Sequence, residues 1–140
     1  MAKKIIKVAG VAIIDQDKNK VLAGKRNADR LVGGMGEFLG GKIEKGETPQ
    51  EAAKRELKEE FHDEVQIGPQ LDETVSYEYD FGIVKLTVFF AKLLTNNFDL
   101  VAHSEVEWLS ADEVQKLNWA PADAPLVKEL ARTNFRDIKF

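Results

Sequence analysis

The stretch Glu37 to Val65, EFLGGKIEKGETPQEAAKRELKEEFHDEV, decides how the rest of the chain is read. Gly40-Gly41 and Lys45-Gly46 both have turn composition. Thr48 then reads as an N-cap, Pro49 as the first helical residue and Glu51 as the partner that completes a Thr-x-x-Glu capping box. The spacing predicts a helix from Pro49 to about Phe61, with Ala53, Leu57 and Phe61 as its inward stripe at i, i+4 and i+8. Glu56, Glu59 and Glu60 fall at i, i+3 and i+4, so one helical turn carries three carboxylates on one face. On a bare helix each like-charge pair costs roughly 0.2–0.5 kcal/mol. A divalent cation reverses that sign.

The whole chain bounds the reading. Its 140 residues, 44% hydrophobic and 31% charged, suit one folded domain spanning 1–140. No apolar run nears the roughly 18–20 residues that cross a bilayer. The N-terminal MAKKIIKVAGVAIID alternates like a strand, unlike a signal sequence, so a cytoplasmic location without membrane association is expected. There is no cysteine, which excludes disulfides, thiolate nucleophiles and cysteine-bound zinc. A net charge of −4 gives no electrostatic reason to hold long nucleic acid. A small anionic ligand remains compatible if metal ions reverse the potential locally.

In chain order, Lys4–Ile14 and Lys20–Lys25 read as a hairpin, and Asn27–Gly36 as a loop. Glu37–Leu39 reads as a brief strand ending at the Gly-Gly turn. Past the helix, strands are expected at Val65–Ile67, Leu71–Tyr79, Ile83–Leu94 and around Val106–Trp108. Ile83–Leu94 is the most continuously apolar and so the most central. Ser110 with Glu113 forms a second capping box, opening a short helix to about Lys116. A last helix covers roughly Ala122–Arg132, with Leu126, Val127 and Leu130 inward. Strands and helices mix without strict βαβ alternation, which predicts an α/β sandwich around a mixed sheet.

The central stretch resembles the signature of the Nudix hydrolases, G-x5-E-x7-R-E-U-x-E-E-x-G-U with U aliphatic. Gly41, Glu47, Arg55, Glu56, Leu57, Glu59 and Glu60 meet seven of its nine defined positions. His62 stands in place of the second glycine and Asp63 in place of the last aliphatic. Both departures bear on how the helix ends rather than on a carboxylate. The resemblance implies a Nudix α/β/α sandwich and a pyrophosphohydrolase that uses magnesium, with manganese as the alternative. It also implies that Glu56, Glu59, Glu60 and the Gly40 carbonyl hold metal, while Glu47 and Arg55 pair with each other or orient the ligands.

Further segments are similar to parts of the MutT-like branch. His103-Ser104-Glu105-Val106-Glu107-Trp108 looks like the element that supplies a general base, making Glu105 the candidate, with a signature glutamate or His103 as the alternatives. Arg26 and Lys42 are the candidate phosphate contacts. Asn118 to Leu126, NWAPADAPL, is similar to a segment that reads the base in 8-oxo-dGTP hydrolases and CTP pyrophosphohydrolases. Asp123 is then the base contact, or merely the cap of the last helix. Phe38, Tyr77 and Phe81 are candidates for stacking on a base or for core packing. The implied partner is a nucleoside triphosphate, of 8-oxo-dGTP or CTP/dCTP type, cleaved to monophosphate and pyrophosphate by a monomer or homodimer. Other nucleoside diphosphates linked to a second group, and a non-catalytic nucleotide-sensing domain, are the alternatives.

Overall fold

The computed structural model describes residues 4–26, 36–61, 65–71, 74–93, 103–116, 118–119 and 121–140. His62, Asp63, Asn96 and Asn97 lie outside the described residues, as do 27–35 of the predicted loop.

Strand β1 (Ile5–Asp15) is the spine of a mixed sheet. One edge runs parallel to β7 (Gly82–Leu93), from Ile5 opposite Ile83 to Ile13 opposite Ala91. The other edge is antiparallel, first to β4 (Leu39–Lys42) and then to β2 (Lys20–Arg26). Beyond β2 lie β3 (Gly36–Glu37) and β8 (His103–Leu109). Beyond β7 lie β5 (Val65–Gln70) and β6 (Val75–Tyr79). The apolar run of β1 follows from this position, because a central strand is covered on both faces.

Two cores form on opposite faces. Ala9, Val11 and Ile13 of β1 join Leu22 and Leu39 beneath Ala52, Ala53 and Leu57 of helix α1 (Pro49–Phe61). The alternate residues Ala12 and Ile14 join Val88, Phe90 and Trp119 beneath helix α3 (Ala124–Ala131) through Leu126, Val127 and Leu130. Helix α2 (Ala111–Val114) packs through Val114 on that second face. Helices on both faces of a mixed sheet make the expected sandwich. No helix among the described residues is long and apolar enough to cross a membrane.

Five boundaries depart from the sequence reading. Gly40-Gly41 is not a turn: both glycines lie within β4, paired with Gly10 and Ala9. β5 continues to Gln70, with a register shift between Ile67 and Gln70. Pro69 lies in that interval and has no N–H for the ladder. The next strand begins at Val75 rather than Leu71, whose N–H instead donates to the Val88 carbonyl at 2.9 Å. α2 ends at Val114, and α3 starts two residues later than expected because Pro121–Asp123 form a turn.

The C-terminal tail is the unanticipated element. A 3-10 turn, Phe135–Asp137, docks on the β1–β2 turn. Asn19 Oδ1 accepts from the Phe135 N–H at 3.0 Å, while Gln16 Nε2 donates to the carbonyls of Phe135 (3.0 Å) and Ile138 (2.7 Å). Arg136 donates back to the carbonyls of Gln16 and Asp17. Phe135 is fully buried among residues of the α3 face. Phe135→Ala is therefore expected to cost about 3–5 kcal/mol in urea unfolding with an unchanged m value. A loss below about 1 kcal/mol would show that the tail merely lies on the surface.

Candidate active site on the glycine strand

Strand β4 approaches β1 so closely that side chains are excluded. Gly40 has φ 138°, and a Cβ there would run into the Ala9 carbonyl oxygen and Gly10 Cα. A Cβ on Gly41 would fall inside the Glu56 carboxylate. The two glycines thus let the strand lie on its neighbour and let a helix carboxylate rest on the strand.

The connection from β4 to α1 is tightly hydrogen-bonded. The Ile43 N–H donates to the Lys7 carbonyl at 2.9 Å, extending the strand pairing by one residue. The Glu47 N–H donates to the Glu44 carbonyl at 3.0 Å across a turn whose third residue, Gly46, has φ 86°. The Glu44 N–H in turn donates to Glu47 Oε1 at 2.9 Å. The Thr48 capping box is complete: the Glu51 N–H donates to Thr48 Oγ1 (3.1 Å), and the Thr48 N–H to Glu51 Oε1 (2.9 Å).

Arg55 gathers this segment into one unit. It grips Glu47 with two bonds, Nε to Oε2 at 2.7 Å and Nη2 to Oε1 at 2.9 Å, the bidentate geometry that suits a guanidinium to a carboxylate. Nη2 also donates to the Lys42 carbonyl at 3.0 Å, tying the helix to β4. Nη1 reaches Glu56 Oε1 at 3.0 Å and Glu59 Oε2 at 3.4 Å. The Arg55 guanidinium beside Glu47, helped by the Glu44 amide, holds the Glu47 carboxyl down at about 2 against an ordinary 4.5. The bond to Glu47, opposed by partial burial and assisted by Glu56, raises Arg55 above its ordinary value.

The other expected site residues fall in distinct places. Lys42 is exposed at the end of β4, at the rim of the Arg55 network. Arg26 ends β2 opposite His103, and Lys25 lies opposite Glu105, so the backbones of the expected phosphate contact and general base run on neighbouring strands. Glu60 lies within α1. The side chains of Arg26, Glu60, His103 and Glu105 lie outside the described part. Among the described residues no three acidic or imidazole side chains are already gathered as a metal-holding group. Asp123 is the buried charged residue of the α3 face and occupies the N-cap position, yet its side chain makes no capping bond and its backbone is helical (φ −86°, ψ −30°). Its reading as a side-chain cap is thereby corrected. Phe38 is buried against Trp119 with ring centroids 5.2 Å apart, whereas Tyr77 and Phe81 are exposed.

The NUDIX domain model matches residues 4–130. The chain belongs to the Nudix family. It is 33% identical over 125 residues to the 8-oxo-dGTP diphosphatase of Escherichia coli K12, covering 87% of this chain and 94% of that one. It is 32% identical over 125 residues to the CTP pyrophosphohydrolase of the same organism, covering 89% and 90%. Its fold is similar to the solution structure of the DNA mismatch repair protein MutT of methicillin-resistant Staphylococcus aureus 252, at TM-score 0.75 and 42% identity over 92% of this chain and 97% of that one. The enzyme is therefore a Nudix hydrolase, and its crowded glutamates stand in the stretch that carries the family signature.

Sequence reasoning missed two participants in this Nudix enzyme. One is the Lys42 carbonyl, which as a backbone group leaves no mark in the sequence. The other is Tyr79, whose hydroxyl accepts from the Ala122 N–H at 3.0 Å. The alternation of Val75, Tyr77 and Tyr79 places these side chains on one face, but only the fold shows that this face meets the turn before α3.

The Glu47 shift sets a pH signature. A carboxyl depressed in the folded state contributes stability above its unfolded value and loses it as pH falls through the folded value. Wild type is expected to exceed Glu47→Gln in thermal stability at pH 7, with the gap closing between about pH 4.5 and 2. A gap that is constant over this range would show that Glu47 is not held ionised by Arg55.

Proposed function

We propose that residues 1–140 act as one Nudix domain that hydrolyses a nucleoside triphosphate, of 8-oxo-dGTP or CTP/dCTP type, to the monophosphate and pyrophosphate with a divalent metal. Magnesium is the preferred ion and manganese the alternative. The observation that carries the reading is the seating of the Glu56 carboxylate on Gly41 while Arg55 fixes Glu47, Glu56 and Glu59 around it.

The residues fit such an ion chemically. Glu56, Glu59, Glu60 and the Gly40 carbonyl offer oxygen donors only, the ligand type that magnesium takes. Glu59 is 61% exposed at its side chain and so is open to a ligand from solvent. A bound cation supplies charge neutralisation for the phosphates and a more acidic water. Arg55 is already occupied by Glu47 and the Lys42 carbonyl, which makes it a positioning residue for the carboxylates rather than a phosphate clamp.

In the reaction, water adds to one phosphorus of the α–β bridge and the bridging P–O bond breaks, with the phosphate group on the other side leaving with the electron pair. Glu105 takes the proton from water, with a signature glutamate as the alternative base. Lys42 and Arg26 hold phosphate oxygens. Asp123 contacts the base: ionised, it accepts from the exocyclic amino group of a cytosine, and protonated it also donates to a purine. The names of the two E. coli relatives, one acting on 8-oxo-dGTP and one on CTP, support this substrate class.

Glu59→Gln is expected to lower turnover of a triphosphate panel with magnesium by more than about 100-fold, since even changes outside the ligand set cost 10–100-fold at metal sites. Activity within a few-fold of wild type would remove Glu59 from the machinery. Asp123→Ala is expected to reorder 8-oxo-dGTP, dGTP, CTP and dCTP by kcat/KM. An equal loss on all four would assign Asp123 a structural role.

A further inference from the structure

We propose that Tyr79 is a specificity-determining positioning residue, acting through the turn that presents Asp123. The inference rests on the reading of Asp123 as the base contact. Asp123 sits between two fixed points. On one side its own carbonyl accepts the Leu126 N–H at 3.0 Å, which starts α3. On the other side the preceding residue, Ala122, donates its N–H to the Tyr79 hydroxyl at 3.0 Å, across to the sheet.

That second bond is demanding because Ala122 is buried, and a buried N–H left without a partner costs about 1–3 kcal/mol. Ala122 precedes the N-cap Asp123 and so lies outside the hydrogen bonds of α3, which leaves its N–H to find an acceptor elsewhere. Tyr79 provides one. Its ring is held in turn: Phe81 stacks on it at 5.0 Å and 12°, and Tyr77 leans against it at 4.8 Å. Beside the turn lies a cleft of about 700 Å³, lined by Tyr77, Pro121, Pro125, Lys128 and Arg132 among others. The turn therefore has open space to move into once the hydroxyl is removed.

Tyr79→Phe keeps the ring and its stacking and deletes the hydroxyl that accepts from Ala122. The expected result is a rise of about three- to tenfold in KM for the best triphosphate, the size of one lost hydrogen bond, with kcat nearly unchanged and discrimination among bases reduced. Hydrogen exchange should quicken at the Ala122 and Asp123 amides and stay unchanged at Leu130. The decisive comparison is a cycle of Tyr79→Phe, Asp123→Ala and the double variant, read as the 8-oxo-dGTP to dGTP and dCTP to dGTP ratios of kcat/KM. If Tyr79 works through Asp123, the double variant discriminates no worse than Asp123→Ala alone. Multiplying losses would overturn the proposal while leaving Asp123 as the base contact. Unchanged ratios in Asp123→Ala would sink the base-contact reading, and the proposal with it. Unchanged exchange at Ala122 in Tyr79→Phe would overturn the anchoring step by itself, whatever the ratios show.

Discussion

The contact on which the candidate site depends is between a glycine strand and a helix carboxylate. β4 can lie against β1 only because position 40 has no Cβ, and Glu56 can rest on β4 only because position 41 has none. The β4–α1 connection then has little freedom: a left-handed Gly46 turns the chain, and Thr48 with Glu51 starts the helix at a fixed point. From that start, Arg55 and Glu56 fall on the face that meets the strand.

Arg55 resolves the electrostatic problem that the sequence raised. Carboxylates at i and i+3 repel one another, and a single guanidinium nitrogen lies between Glu56 and Glu59 while the rest of the group is spent on Glu47 and a strand carbonyl. The guanidinium therefore offsets the repulsion between Glu56 and Glu59. The other face of the sheet is built differently, from Phe38, Trp119 and the turn before α3. Adjacent residues Phe38 and Leu39 belong to the two cores, so one edge of the sheet serves both halves of the proposed site.

Much of this was legible in the sequence, for local reasons. The Thr48 and Ser110 capping boxes, the stripe of Ala53 and Leu57, and the Glu47–Arg55 pairing all depend on residues close in sequence, and all are present. Gly40-Gly41 misled because glycine marks both turns and close backbone approach, and only the pairing with β1 separates the two. Leu71 was read into a strand because a buried leucine beside a strand has the same apolar character as one within it. The tail around Phe135 was silent because its partners, Gln16 and Asn19, lie more than a hundred residues away in the chain. The Tyr79–Ala122 bond was hidden for the same reason: it joins a side chain to a backbone group across the fold.

The central claim is that the Gly40–Glu60 segment binds a divalent cation. Manganese is paramagnetic, and it quenches the amide signals nearest to it in a nuclear magnetic resonance spectrum. Titrated at substoichiometric amounts into the full chain, it should first erase the amides of Gly40, Gly41, Glu56 and Glu59, and an excess of magnesium should restore them. Quenching that begins elsewhere, or that is spread evenly over the acidic surface, would contradict the account.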